Sequence, residues 1–285
     1  GDRFFEERLN EAISVAEYEL ENLTDLSDYV NERVHSRYLD TPYIHPEAQV
    51  IGLKSAKGTG KTYLLEELGR EAQRKGQRIL LLSHRIQLTK TLCDRLGIDH
   101  IDDLKFSATK GVLGYGLCVD SLKKFSKARF NPQEWQGALI ILDEAEQAFW
   151  HTVNSSTCRQ DRIEILQNFQ KTLQIALSTG GKVILADADL SPIGVNFVQQ
   201  LLDFPALTWV VENTYNPNEG NRKLYNYKSP KEVIAKAEFD LAQGKKVFIA
   251  TGSQQEKSTW SSINLETALG QTIDPARILR IDSQS

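Results

Sequence analysis

The sequence predicts an α/β fold built around a central parallel sheet. Two observations carry that reading: short, almost wholly apolar runs recur from residue 50 onward, and amphipathic stretches separate them. Strands that apolar need cover on both faces, and helices connecting successive parallel strands supply it. The expected strands are VIGL (50–53), RILLLS (78–83), LCVDS (117–121), ALIILDEA (138–145), KVILADA (182–188), LTWVV (207–211), KVFIAT (246–251) and RILRID (277–282). The expected helices between them are 63–76, 121–130, 162–177 and 229–246, each with apolar residues at helical spacing.

Ahead of the sheet, residues 4–23 place Phe5, Leu9, Ile13, Ala16 and Leu20 on one helical face, and a second helical stretch is expected over about 25–37. TPYIHPE (41–47) carries two prolines and reads as a connector. Residues 212–228 are rich in Asn, Pro and Gly, which suggests a boundary. The expected organisation is an acidic helical extension (1–44), the main α/β lobe (45–212), a linker (213–228) and the beginning of a second, incomplete lobe (229–285).

With 285 residues, 40% hydrophobic and 25% charged, the chain has the make-up of an ordinary globular protein. It has no apolar stretch long enough to span a membrane and no secretory pattern at its start, so a cytoplasmic protein without a membrane partner is expected. Cys93, Cys118 and Cys158 lie far apart, which excludes a zinc ribbon and fits reduced thiols. The net charge of −4 conceals an asymmetry: residues 1–49 hold 12 acids and 4 bases, the remainder 26 acids and 30 bases. A polyanion should therefore meet the chain after residue 49. There is no methionine, and the chain opens on Gly1, which reads as an added residue or an internal start.

The strongest motif is GLKSAKGTGKT (52–62), which follows an expected strand and leads into a helix, the context a phosphate-binding loop requires. Gly58 and Gly60 let backbone N–H groups turn toward phosphate oxygens, and the helix N-terminus adds its dipole. Ser55, Ala56, Lys57, Gly58, Thr59, Gly60, Lys61 and Thr62 are thus the expected ATP-binding residues, with Lys61 on the β- and γ-phosphates and Thr62 on Mg²⁺. Ser55 stands where such loops usually have their first glycine. A chance glycine-rich turn is the competing reading. LIILDEAEQ (139–147) brings Asp143 to the carboxyl end of a buried strand, where open α/β sheets place ligands. Asp143 is the expected second Mg²⁺ residue, and Glu144 the group that orients and deprotonates water.

The DEAE form together with SAKGTGKT resembles superfamily 2 helicases. LLLSHRIQL (80–88), LCVDSL (117–122), ILADADLSP (184–192) and KVFIATGSQ (246–254) fit the same family in order. The Ser-His-Arg, VDSL and DADLS segments are similar to herpesvirus origin-binding helicases and, more closely, to plasmid replication proteins of the cyanobacterial type. The resemblance implies a RecA-like P-loop NTPase lobe, followed by the start of a second RecA-like lobe. It implies ATP and Mg²⁺ as cofactors, DNA (single-stranded or forked) and other domains of a longer replication protein as partners, and ATP-driven unwinding or translocation as the activity. The alternative is a nucleotide-switched DNA-binding or loading module that hydrolyses slowly and never unwinds. Implied DNA contacts are Ser83, His84, Arg85, Ser121, Lys123 and Ser253. Asp187-Ala188-Asp189 departs from the commoner Ser-Ala-Thr of the coupling segment. The second-lobe segment carrying the arginine that reaches the γ-phosphate does not occur within these residues.

Weaker signals remain. Lys105, Lys110, Lys123, Lys124, Lys127 and Arg129 are interleaved with Phe106, Tyr115, Phe125 and Phe130, a mixture used by single-strand binders. Some of these lysines are expected on DNA and most of the aromatics in the core. His84 reads equally as a phosphate contact or a strand end. His151 and Cys158 lack a second ligand pair, which argues against a metal. Ser155, Ser156 and Thr157 are expected to cap the helix at 162–177.

Overall fold

The computed structural model describes residues 23–108, 111–217, 219–220, 223–253 and 255–281. The chain divides into two compact units between Glu219 and Gly220, inside the expected linker. The helix expected over 4–23 lies almost wholly outside the described residues.

The first unit is an eight-stranded, all-parallel sheet. Its strands are β1 (Val30–Val34), β2 (Val50–Ser55), β3 (Ile79–Ser83), β4 (Asp99–His100), β5 (Gly114–Cys118), β6 (Leu139–Asp143), β7 (Lys182–Asp187) and β8 (Thr208–Asn213). They are ordered β1-β8-β2-β7-β6-β3-β5-β4. The helices are α1 (Lys61–Arg74), α2 (Ile86–Leu96), α3 (Ala145–Asn154), α4 (Arg162–Ser178) and α5 (Pro192–Leu201).

The pleat divides the strand side chains between two cores. Leu80, Leu82, Ile140, Leu142, Val183 and Leu185 share one core with residues of α3, α4 and α5. Ile79, Leu81, Leu139, Ile141, Ile184 and Ala186 share the other with residues of α1 and α2. Gly114 opens β5 at φ +112°, where a Cβ would lie 1.9 Å from the Ile79 carbonyl oxygen. Only glycine permits that approach of the two backbones. All three cysteines are unpaired and buried; burial pushes the Cys93 thiol up to about 12 and Cys118 to about 11.

Five expectations are corrected. The strand expected at 117–121 lies at Gly114–Cys118, and Val119–Ser121 form a 3₁₀ turn. Residues 25–37 form a 3₁₀ turn (Ser27–Tyr29) and the edge strand β1, not a helix. VNERV alternates with period two, and its ladder on β8 settles the choice. Residues 121–130 are not helical: the Phe130 N–H reaches back to the Lys123 carbonyl (3.3 Å), the Ser126 hydroxyl bonds the same carbonyl (2.7 Å), and Arg129 sits at φ +45°. Ser155 follows the end of α3 and bonds Thr157 (2.9 Å), whereas Asp161 is the residue that precedes α4. In the second unit, α6 (Pro230–Ala242) and α7 (Ser262–Leu269) form, but no strand occurs among its described residues. Residues 246–251 have no ladder partner there, and Phe248 is 87% exposed. An apolar run without a neighbouring strand gains neither hydrogen bonds nor burial.

Candidate nucleotide-binding site

The loop between β2 and α1 is shaped by two left-handed glycines, Gly58 (φ +81°) and Gly60 (φ +83°). Inside it, the Thr59 hydroxyl donates to the Ala56 carbonyl (2.6 Å), so the Ser55 hydroxyl is the donor in its 2.5 Å bond to Thr59. Ser55 and Thr59 are both buried. The serine in the usual glycine position therefore closes the loop from within. The Lys61 ammonium bonds the carbonyls of Ser55 and Ala56, the latter at 3.2 Å. Thr62 follows in the first turn of α1, while Lys57 and Gly58 are exposed at the rim. Residues between β1 and β2 brace the loop: the Leu39 N–H donates to the Thr59 carbonyl (3.0 Å), and a Cβ on Gly60 would press the Tyr38 ring at 3.2 Å.

Three carboxylates act on Lys61. Asp143 ends β6, Asp187 ends β7, and Glu144 forms the left-handed corner (φ +53°) leading into α3. In register, Asp143 faces Ala186 and Lys54 faces Asp187, so the ends of β6, β7 and β2 adjoin. Burial, then the neighbouring Glu144, pushes Asp143 up to about 6. Burial likewise lowers the pKa of Lys61, while Glu144, Asp187 and Asp143 pull it upward. Both groups are half-buried, where a charge gains more from a fixed counter-charge than it does at the surface.

Two further residues, which the motifs did not single out, tie this region together. The Glu146 N–H donates to the Asp187 carboxylate (2.9 Å), which also accepts the Asp189 N–H (2.9 Å). Glu146 in turn accepts from Ser191 at the start of α5. The DADLS segment is thereby joined to the DEAE corner. The only signal for this in the sequence was a run of acids and a serine at two adjacent strand ends.

Among the residues expected on DNA, Ser83 ends β3 in register with Cys118 of β5, three residues before Ser121. Ser83 is buried, and neither its hydroxyl nor the buried Nδ1 of His84 has a partner among the described residues. Burial lowers the pKa of His84, whose ring lies 6.3 Å from that of His151. Arg85 is exposed at the start of α2. Ser121 lies in a 3₁₀ turn and caps no helix, its hydroxyl 3.4 Å from Asp120. Lys123 is committed to Asp161 at 2.5 Å. Ser253 belongs to the second unit and accepts the Gln255 N–H at 3.2 Å. His151 bonds Thr157 (3.2 Å), and no cluster of His, Cys, Asp and Glu suited to a metal occurs among the described residues. Nor does any described helix have the length and apolarity to cross a membrane.

No family model matches the chain. The chain is similar to an uncharacterized protein of Picosynechococcus sp., with 42% identity over an alignment that covers all of this chain. It spans 29% of that relative's length.

Proposed function

We propose that the first unit is a RecA-like, P-loop ATP-binding lobe, and that it serves a DNA helicase or translocase of the superfamily 2 type in a longer replication protein. The observation that carries this reading is the position of Lys61: its ammonium is held over a loop with two left-handed glycines and lies in the field of Asp143, Glu144 and Asp187. A lysine so placed is suited to the β- and γ-phosphates of ATP.

The donor set also fits magnesium. Mg²⁺ prefers oxygen ligands and is held by one or two protein groups plus substrate phosphates, not by a full protein cage. Thr62 and Asp143 would supply those groups, and the ion, when bound, neutralises phosphate charge. Glu144 would accept a proton from the attacking water, its backbone turned by the left-handed corner that starts α3. The ties from Glu146 to Asp187 and Ser191 would carry a change at that corner to α5.

ATP turnover with and without single-stranded DNA tests the reading, measured on this chain and on one extended through the following part of the protein. The extended chain should turn over faster by orders of magnitude and respond to DNA, since an arginine acting on the γ-phosphate contributes about 10³–10⁵ in rate in related enzymes. Turnover in the extended chain that ignores DNA would exclude a DNA-driven motor. Turnover without strand displacement would favour a nucleotide-switched loading module.

A further inference from the structure

The first unit carries a wide cleft, about 1560 Å³, away from the phosphate loop. Two turns build it, one after β4 and one after β5. Lys105, Lys124, Lys127 and Arg129 line it, with Asp102 and Glu164 as its carboxylates. Phe106 and Phe125 line it too, and both are 90% exposed. The other two aromatics of the same stretch behave differently: Tyr115 and Phe130 are buried and pack on Trp135.

Both turns are held in shape. The Phe106 N–H donates to the Asp103 carbonyl (2.9 Å), and the Arg129 N–H to the Ser126 carbonyl (3.0 Å). The second turn is fastened to α4, where Asn168 donates to the Leu122 carbonyl (3.0 Å) and Glu164 accepts the Lys124 N–H (2.8 Å). Each carboxylate of the cleft is already engaged, Asp102 with Lys127 at 2.9 Å and Glu164 with that N–H. The Lys127–Asp102 pair is exposed, so it opposes a phosphate only weakly. The cations thus outnumber the acids, and two flat rings are presented to solvent on fixed backbone.

We propose that this cleft binds single-stranded nucleic acid, with Phe106 and Phe125 stacking bases while Lys105, Lys124, Lys127 and Arg129 face phosphates. The proposal rests on the nucleic-acid-dependent reading above and gives it a surface. An acidic polypeptide would satisfy the cations but offers no regular series of flat faces for the rings. A nucleic-acid strand offers both, and every base has a face to stack. Duplex DNA keeps its base faces covered, so the cleft selects single strands.

Fluorescence anisotropy on the 285-residue chain tests this, with labelled oligothymidylate, an abasic strand of equal length and a duplex as probes. Oligothymidylate should bind tighter than either of the others. Phe106→Ala and Phe125→Ala should each weaken oligothymidylate by about 5- to 150-fold and leave the abasic strand unchanged. Both rings are exposed, so these variants keep the fold, and ATP-analogue binding should not change. Lys124→Ala with Lys127→Ala should weaken both strands and flatten the salt dependence by about 0.7 per lost contact. Oligothymidylate binding that ignores the Phe substitutions would overturn the cleft while leaving the nucleic-acid reading intact. Absence of oligonucleotide binding with normal ATP-analogue binding would overturn both of those and spare the ATP site. Displacement of the strand by polyglutamate at equal charge would assign the cleft to an acidic protein instead.

Discussion

Glu146 accepts two hydrogen bonds from Ser191, one from its backbone N–H at 2.8 Å and one from its hydroxyl at 2.9 Å. Its own N–H donates to Asp187. The corner after β6 and the turn after β7 are therefore fastened together, and Glu146 is half-buried with its pKa raised by that burial.

Glu146→Ala should destabilise the first unit by about 1–3 kcal/mol, because it strands the Ser191 donors. Glu146→Gln keeps an acceptor oxygen and should lose less. Urea denaturation of the two variants checks the order.

Gly114→Ala tests the fold itself. A Cβ there would meet the Ile79 carbonyl at 1.9 Å, at a φ of +112°. The β3–β5 ladder would have to part, and a loss of more than about 3 kcal/mol is expected. Parental stability would mean that the two strands do not approach as described.

Asp143 predicts a pH dependence. Its pKa is raised from an ordinary 3.8 to about 6, so the folded chain holds this proton more tightly than the unfolded chain does. Stability is lost as pH rises through that window, and the deficit persists above it. Asp143→Asn should therefore stabilise the ligand-free chain above about pH 6, by about 1–3 kcal/mol. On the proposed reading magnesium would compete with the same proton, so Mg·ATP affinity of the parent should fall as pH drops below about 6. Calorimetric titrations on either side of that value check it.

Five of the six strands expected in the first unit were legible as apolar runs between helices, as in Ile79–Ser83 and Leu139–Asp143; the run at 117–121 was misplaced, because the glycines of Gly114–Cys118 hide the strand's true start. The turn between β2 and α1 was legible because its geometry is local: Gly58 and Gly60, both left-handed, lie two residues apart in sequence. What stayed hidden depends on distant partners. β1 is an edge strand whose Asn31 side chain accepts the Val210 N–H (2.8 Å), and nothing in a short charged alternation announces that partner. β4 has two residues, too few for any period. The stretch 121–130 has helical spacing, but its ties to Asp161, Glu164 and Asn168 hold it as turns. Glu146 and Ser191 are 45 residues apart, and only the adjacency of β6 and β7 brings them together.

Glu144→Gln separates binding from chemistry. The amide cannot take the water's proton, so Mg·ATP should still bind while turnover in the extended chain is lost. Unchanged turnover would remove Glu144 from that role.

Calorimetric binding of Mg·ATP to the 285-residue chain and to its Lys61→Ala variant tests the central claim most directly. The Lys61 side chain belongs to neither core, so the variant should keep its circular dichroism spectrum, with a melting temperature lowered modestly by the lost bonds to the loop carbonyls. A charged hydrogen bond of this kind contributes about 1.5–3 kcal/mol, so affinity should fall at least tenfold. The account predicts one site per chain, lost or strongly weakened in Lys61→Ala. Parental affinity in a folded Lys61→Ala variant would contradict it.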